Sequence, residues 1–341
     1  QTQALRWGSN GTRIGVTNGW RKQNQSMADD ILAQLKRGVV LGDGGYLLEL
    51  ERRGYVDSGA GREKVGTGRG SGQYTPEVTI EHPAALLEMH REFIRAGSGV
   101  LQALTFFATQ DKLARAGYGE CAAAINKAAV DLARAAAGGA ALVAGTISRT
   151  QLFEREGPGA AGHVRELFAE QVSFLENAGV DFLILETFFH LQEMRIALEC
   201  ARRTNLPIIA TMSFRPKLTS SSDGHPPAEC ARVLAGEGAH AVGANCEQEP
   251  TRMLGILRAM REAVSVFVAG QPAAFRTPDE TPCFTRLPQF PQDLETIQVS
   301  RQDFATFARG AQAEGINYIG GCCGCNAAYV RTMSEILRPA R

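Results

Sequence analysis

Apolar runs of strand length recur along the chain at VVLGDGG (39–45), GVLQALTFF (99–107), ALVAGTIS (141–148), DFLILETFF (181–189), PIIATMSF (207–214), AVGANC (241–246), SVFVAGQPA (265–273) and YIGGCCG (318–324). They are apolar nearly throughout instead of alternating, as expected of parallel strands covered on both faces. Between them, apolar residues recur with helical spacing over 81–97, 122–137, 163–179, 191–204, 227–238, 250–263 and 300–315. Another such segment, ADDILAQLKRG (28–38), precedes the first run, places Ile31, Leu32 and Leu35 on one face and has Gly38 as its stop. Eight apolar strands separated by amphipathic helices predict an α/β protein, a (β/α)8 TIM barrel. The competing arrangement is a doubly wound open sheet, but no GxGxxG follows the first strand.

A chain of 341 residues can bury one such core. We therefore expect a single barrel domain over 27–341, preceded by a polar, aperiodic segment, 1–26, that is a native extension or an appended one and is flexible. Within the domain, 57–73 (DSGAGREKVGTGRGSGQ) is too rich in glycine and charge to order itself cheaply, which suggests a flexible insertion, either a lid or a solvated loop. A proline-bearing stretch, 276–297, reads as a long loop before the last of these helical segments.

Charge narrows the function. Lys plus Arg and Asp plus Glu both number 36, giving a formal net charge of zero. No long-range field favours nucleic acid or an anionic membrane, and a small-molecule substrate fits better. No apolar stretch approaches the roughly 20 residues that span a bilayer, and a cytoplasmic protein is expected. The eight cysteines are unevenly spaced, unlike the framework of a small secreted domain, and read as reduced thiols or metal ligands.

Reactive groups in barrels gather at the C-terminal ends of the strands, where Asp43, Glu186, Cys246 and the cysteines of 322–325 fall. A lone buried cysteine is usually a small hydrophobe, but strands six and eight flank strand seven, so Cys246, Cys322 and Cys323 can converge. Adjacent cysteines on an extended strand point apart, and Gly320, Gly321 and Gly324 allow the turn that brings both to one ion. Three thiolates on zinc (Zn2+) leave one coordination position open. A fourth would close it, so Cys325 reads as a neighbouring thiol, while Cys121, Cys200, Cys230 and Cys283 read as structural. Such an electron-rich centre activates water poorly but holds a substrate thiol as thiolate, which suggests alkyl transfer. The alternative from another class is a redox or zinc-buffering protein in which Cys322, Cys323 and Cys325 cycle between thiol and disulfide.

Four stretches, GDGGYLLELERRGY (42–55), HREFIRAGSGVLQALTFFATQDKL (90–113), GANC (243–246) and NYIGGCCG (317–324), resemble the homocysteine S-methyltransferase family, most closely its betaine–homocysteine methyltransferase branch. The resemblance spans about residues 28–338. It implies a barrel with one zinc held by Cys246, Cys322 and Cys323, and homocysteine as the methyl acceptor, giving methionine. It further implies that Asp43 and Glu186 hold the homocysteine ammonium as catalytic carboxylates, that the Gly44 and Gly45 N–H groups approach its carboxylate, and that Gln102 joins the substrate site. A methylated onium donor, betaine foremost, falls to Tyr74, Phe106, Phe107 and Thr187. Aromatic faces attract such cations. Tyr74 stands where the betaine enzymes carry tryptophan, and Phe107 and Thr187 stand where they carry tyrosine, so S-methylmethionine or dimethylsulfoniopropionate is the alternative donor. Arg62, Lys64 and Arg69 of the insertion are candidates to meet a donor carboxylate. The betaine enzymes assemble tetramers through a long C-terminal arm, and a chain ending at Arg341 suggests a monomer or simple homodimer. A homocysteine-binding barrel that depends on a corrinoid partner is a further alternative.

Overall fold

A computed structural model describes residues 30–55, 78–214, 220–281, 283–290 and 293–338. Each apolar run contains a strand: β1 Val40–Leu41, β2 Val100–Gln102, β3 Leu142–Ser148, β4 Phe182–Phe188, β5 Ile208–Met212, β6 Ala241–Asn245, β7 Phe267–Gln271 and β8 Tyr318–Ile319. Neighbours pair in parallel in the order β1-β8-β7-β6-β5-β4-β3-β2. Between β1 and β2 the seam is bridged by single contacts. The Gly99 N–H donates to the Leu41 carbonyl (2.8 Å), and the Gln102 N–H donates to the Asp43 carboxylate (2.7 Å). A side chain therefore takes the place of a ladder bond where the barrel closes, and the fold is the expected (β/α)8 barrel.

The helices Pro83–Ala96, Ala122–Ala137, Ala161–Ala178, Leu191–Ala201, Pro227–Gly236, Pro250–Ala263, Arg301–Ala313 and Ala327–Leu337 follow the strands in turn. Their apolar faces pack on outward residues such as Leu101, Val143, Leu185 and Val242. The first helix, Ile31–Arg37, is capped by Asp30, whose carboxylate accepts the Ala33 N–H (2.7 Å). Gly38 follows it in extended backbone (φ 163°), so the helix ends by entering β1 and not through a left-handed cap.

Along the barrel axis the inward positions change character. Near the strand N-termini they are apolar, with Val40, Val100, Leu142, Phe182, Ile184 and Ile209 packed together and Ile31 and Leu35 of the first helix in the same cluster. Each fully buried aliphatic side chain of this kind contributes about 1.5–3 kcal/mol. Further along, the inward positions of β2 to β7 become polar, with Gln102, Thr146, Ser148, Glu186, Thr211, Asn245 and Gln271. An apolar plug thus supports a polar mouth at the C-terminal end.

The 276–297 loop contains short 3-10 turns at Phe284–Arg286 and Leu294–Ile297 and returns so that Phe275 pairs with Gln298. Phe275, Phe284 and Leu294 pack against Cys246, Cys322 and Cys323, so this loop forms an apolar wall over the mouth. Residues 1–26 and the 57–73 insertion, with Arg62, Lys64 and Arg69, lie outside the described residues, and so does Tyr74. Among the described residues no helix is long and apolar enough to cross a membrane.

Candidate active site

Cys246 directly follows β6, and Cys322 and Cys323 follow β8 after Gly320 and Gly321. The end of β7 holds both segments. The Cys246 N–H donates to the Gln271 carbonyl, the Cys322 N–H to the Pro272 carbonyl and the Ala274 N–H to the Cys323 carbonyl, each at 2.8 Å. The three sulfurs lie within 4.8 Å of one another, Cys246 and Cys323 being 3.5 Å apart, and all three cysteines are free. Sulfurs placed tetrahedrally at about 2.3 Å from a zinc ion stand about 3.8 Å apart. The trio fits a thiophilic divalent ion with little movement. Cys246 and Glu247 adopt left-handed backbone (φ 58° and 56°), a turn that costs on the order of 1–3 kcal/mol per residue and persists only where its surroundings hold it. Hydrogen bonding to Cys322, followed by burial, pushes the Cys246 thiol well above its ordinary value, and a bound cation reverses that.

Cys325 stands apart from this group. It is fully buried in the apolar core, its carbonyl accepts the Gly45 N–H (2.8 Å), and a Cβ at Gly321 would overlap its sulfur. The 322, 323 and 325 trio of the redox alternative is therefore not assembled, and Cys246 takes the third place.

Asp43 is fully buried at the end of β1. Its carboxylate accepts from the Gln102 N–H (2.7 Å), the Gln102 side-chain amide (2.9 Å) and the Tyr46 hydroxyl, which also lies 2.9 Å from His90 Nδ1. Burial outweighs these donors and pushes the carboxyl up to about 6. Glu186, near the end of β4, borders the cavity. Burial first, and then the charge of Asp43, push its carboxyl up to about 8. Among the described residues neither carboxylate has an ion pair. Asp43 is fully buried behind the cavity wall and half-buried Glu186 faces the cavity within reach of its charge, so a cation placed beside Glu186 would be favoured.

Gly44 and Gly45 serve close packing. A Cβ at Gly44 would overlap the Cys325 carbonyl and one at Gly45 the Cys322 carbonyl. The Gly45 N–H, which the resemblance turned toward an acceptor carboxylate, is engaged by Cys325 instead. Thr187 is left-handed (φ 60°) and is held there by Asn245, which accepts the Thr187 N–H (2.8 Å) and donates to its hydroxyl (2.7 Å). Asn245 also contacts Glu186 (3.4 Å), tying the carboxylate side of the site to the strand that delivers Cys246.

A cavity of about 290 Å3 joins these groups to Phe106 and Phe107, which both line it. Their rings lie 4.5 Å apart at 44°. Lys112 Nζ sits 3.9 Å over the Phe107 ring, so one aromatic face is occupied from within the protein. The cavity also touches residues that sequence reasoning missed: Tyr46, Arg149, Phe284 and Phe290. Asn245 lay within the quoted GANC motif, where only its cysteine drew attention. Phe284 and Phe290 sit in an irregular loop, where no periodicity marks them.

A family model described as homocysteine S-methyltransferase matches residues 40–337. Betaine–homocysteine S-methyltransferase 1 of Mus musculus is 38% identical over 331 residues, covering 91% of this chain and 75% of that one. The S-methylmethionine–homocysteine S-methyltransferase of Pongo abelii is 38% identical over 324 residues, covering 91% and 82%. The crystal structure of the homocysteine methyltransferase MmuM from Escherichia coli, metallated form, superposes with a TM-score of 0.68 at 21% identity over 89% of this chain and 98% of that one, a likeness of fold. With its barrel, its convergent thiols and a family match across nearly all the described residues, the chain belongs to the homocysteine S-methyltransferase family.

Proposed function

We propose that the protein is a zinc-dependent methyltransferase that moves a methyl group from an onium donor, betaine foremost, to the thiolate of homocysteine, giving methionine. S-methylmethionine and dimethylsulfoniopropionate are the alternative donors. The observation that carries the reading is the convergence of Cys246, Cys322 and Cys323 on the same cavity as Glu186, with buried Asp43 beside it. Relatives named for betaine and for S-methylmethionine are equally similar to this chain, at 38% identity, so overall likeness does not choose the donor.

Cys246, Cys322 and Cys323 would hold the zinc, which supplies a thiolate at neutral pH by displacing the proton of a bound thiol. Asp43 and Glu186 bind the acceptor ammonium and thereby fix where its sulfur lies. Phe106 and Phe107 flank the donor cation, and the loop carrying Phe284 and Phe290 excludes water. The sulfur lone pair forms the new S–CH3 bond as the C–N+ bond of betaine, or the C–S+ bond of a sulfonium, breaks. The released electron pair neutralises the onium centre, and the thiol proton leaves to solvent. All eight cysteines are free, which suits the reducing cytoplasm.

Methionine formation from homocysteine and each of the three donors, with zinc content measured in parallel, tests this. Cys246→Ala is expected to lose both the metal and at least about 99% of turnover, whereas Cys325→Ala keeps the metal. A protein that binds no zinc, or whose Cys246→Ala variant retains full turnover, overturns the reading.

A further inference from the structure

The carboxylate at the end of β1 is backed by a chain of groups that the methyl-transfer step leaves unused. The Tyr46 hydroxyl donates to Asp43 Oδ2 and also lies 2.9 Å from His90 Nδ1. His90 stands on the helix Pro83–Ala96 and is fully buried. Its ring meets that of Tyr46 edge to face at 5.1 Å, and Phe93 of the same helix meets Tyr46 in the same manner at 5.3 Å. One helix thus fixes the Tyr46 ring by a polar and an aromatic contact. Tyr46 lines the cavity, and so does Gln102, the other side chain that donates to Asp43. Asp43 therefore acts on the cavity from behind its own two donors.

The direction of the protons in this chain follows from the histidine. Burial holds the His90 imidazole down at about 3, so at neutral pH it is uncharged and carries one N–H. Its Nε2 is buried and has no hydrogen-bond partner among the described residues. With Asp43 ionised, the Tyr46 O–H points to the carboxylate, the Tyr46 oxygen accepts the N–H of Nδ1, and Nε2 keeps a bare lone pair. The reverse order, with protonated Asp43 donating to Tyr46 and Tyr46 to Nδ1, puts the N–H on Nε2, a donor facing no acceptor. Orphaned buried N–H groups are rare, under-satisfied acceptors less so. Among the described residues, the other titratable groups acting on Asp43 are Glu186 on β4, Tyr318 on β8 and the Cys325 thiol, none of them cationic. Hydrogen bonds, not an ion pair, therefore keep this carboxylate charged. On the reading given above, in which Asp43 attracts the acceptor ammonium, we infer that Tyr46 and His90 are positioning residues for the acceptor: His90 fixes the Tyr46 hydroxyl proton on Asp43, and that bond holds the carboxylate ionised and in place. His90 does not border the cavity and acts through Tyr46.

Homocysteine affinity, read as KM with betaine saturating and as a calorimetric Kd on zinc-loaded protein, tests this. Tyr46→Phe removes only the hydroxyl. At pH 7 it should raise both constants about tenfold, the scale of a lost hydrogen bond to a charged group, with kcat changed less than about threefold. It should also move the pH window in which the homocysteine KM falls upward by about one unit, which loss of packing alone would not do. His90→Leu should raise KM about threefold or more by itself, but less than about twofold further in the Tyr46→Phe background, because its effect passes through that hydroxyl. His90→Asn, which keeps an N–H near the place of Nδ1, should recover part of the loss. Unchanged zinc content and circular dichroism show that each variant is folded, and Tyr46→Phe decides alone where a His90 substitution is not. An unchanged KM and pH window in Tyr46→Phe, or effects of the two substitutions that multiply independently, overturn the inference alone. Asp43→Asn that leaves homocysteine affinity unchanged overturns the role of Asp43 in the proposed function, and this inference with it.

Discussion

Asp43 and Glu186 are each held in a state that a bound cation would change. Both carboxyls stand above their ordinary values, Asp43 at about 6 because of its burial and Glu186 at about 8 because of burial first and then the charge of Asp43. The folded protein therefore keeps protons that the unfolded chain has lost. The stability linked to them is complete below the ordinary values of 3.8 and 4.5 and disappears as pH rises through about 6 and about 8. The metal-free, ligand-free protein should show a Tm that falls across that window, with a shallower fall in Glu186→Gln. If the pair binds the acceptor ammonium as proposed, it must be ionised to do so, so the KM for homocysteine should fall as pH rises through the same window, and Glu186→Gln should raise it about tenfold or more at neutral pH. A homocysteine KM that is flat with pH, or untouched by Glu186→Gln, contradicts the assignment.

At the scale of elements, the turn after β1 and the turn after β8 are shaped to one another. The Gly321 N–H donates to the Asp43 carbonyl (2.8 Å), the Gly45 N–H donates to the Cys325 carbonyl (2.8 Å), and Gly45 lies against the backbone of Cys322 and Cys323. Gly45→Ala would drive a methyl group into the Cys322 carbonyl and push the turn that carries Cys322 and Cys323 away. Although Gly45 is not a ligand, this variant should bind zinc substoichiometrically while circular dichroism still reports the barrel. Full metal content with wild-type turnover would show that the turn gives way at no cost. Cys325 belongs to this packing, which explains a third thiol in the motif without giving it chemistry.

Across the whole molecule, an ion held by Cys246, Cys322 and Cys323 would tie together segments 77 residues apart in sequence, and any ligand that binds only the folded state stabilises it by mass action. Chelation should lower the wild-type Tm by several °C and leave that of Cys246→Ala, already without metal, unchanged. The wall built from Phe275, Phe284 and Leu294 rests on the same cysteines, so metal loading should also slow hydrogen exchange in the 276–297 loop. Equal exchange with and without zinc would detach that loop from the site.

How much could be read before folding depends on whether the signal is local. Apolar runs and helical periods depend on residues a few positions apart, so all eight strands and the barrel were legible, as were Asp43, Glu186, Cys246, Cys322 and Cys323, since each sits at or just beyond a strand end or in a marked motif. Strand lengths were not, because the glycines after β1 and β8 lead the chain out of the sheet early. Neither was the burial of Cys325, since identical side chains three residues apart separate only when a turn sends one toward an ion site and the other into the core. The Asn245 link to Thr187 joins positions 58 residues apart, and Arg149 borders the cavity together with Phe284 and Phe290 of a loop far along the chain. Periodicity fixes which residues face inward along one strand, whereas the company each inward residue keeps is set by closure of the barrel, which places distant strand ends side by side.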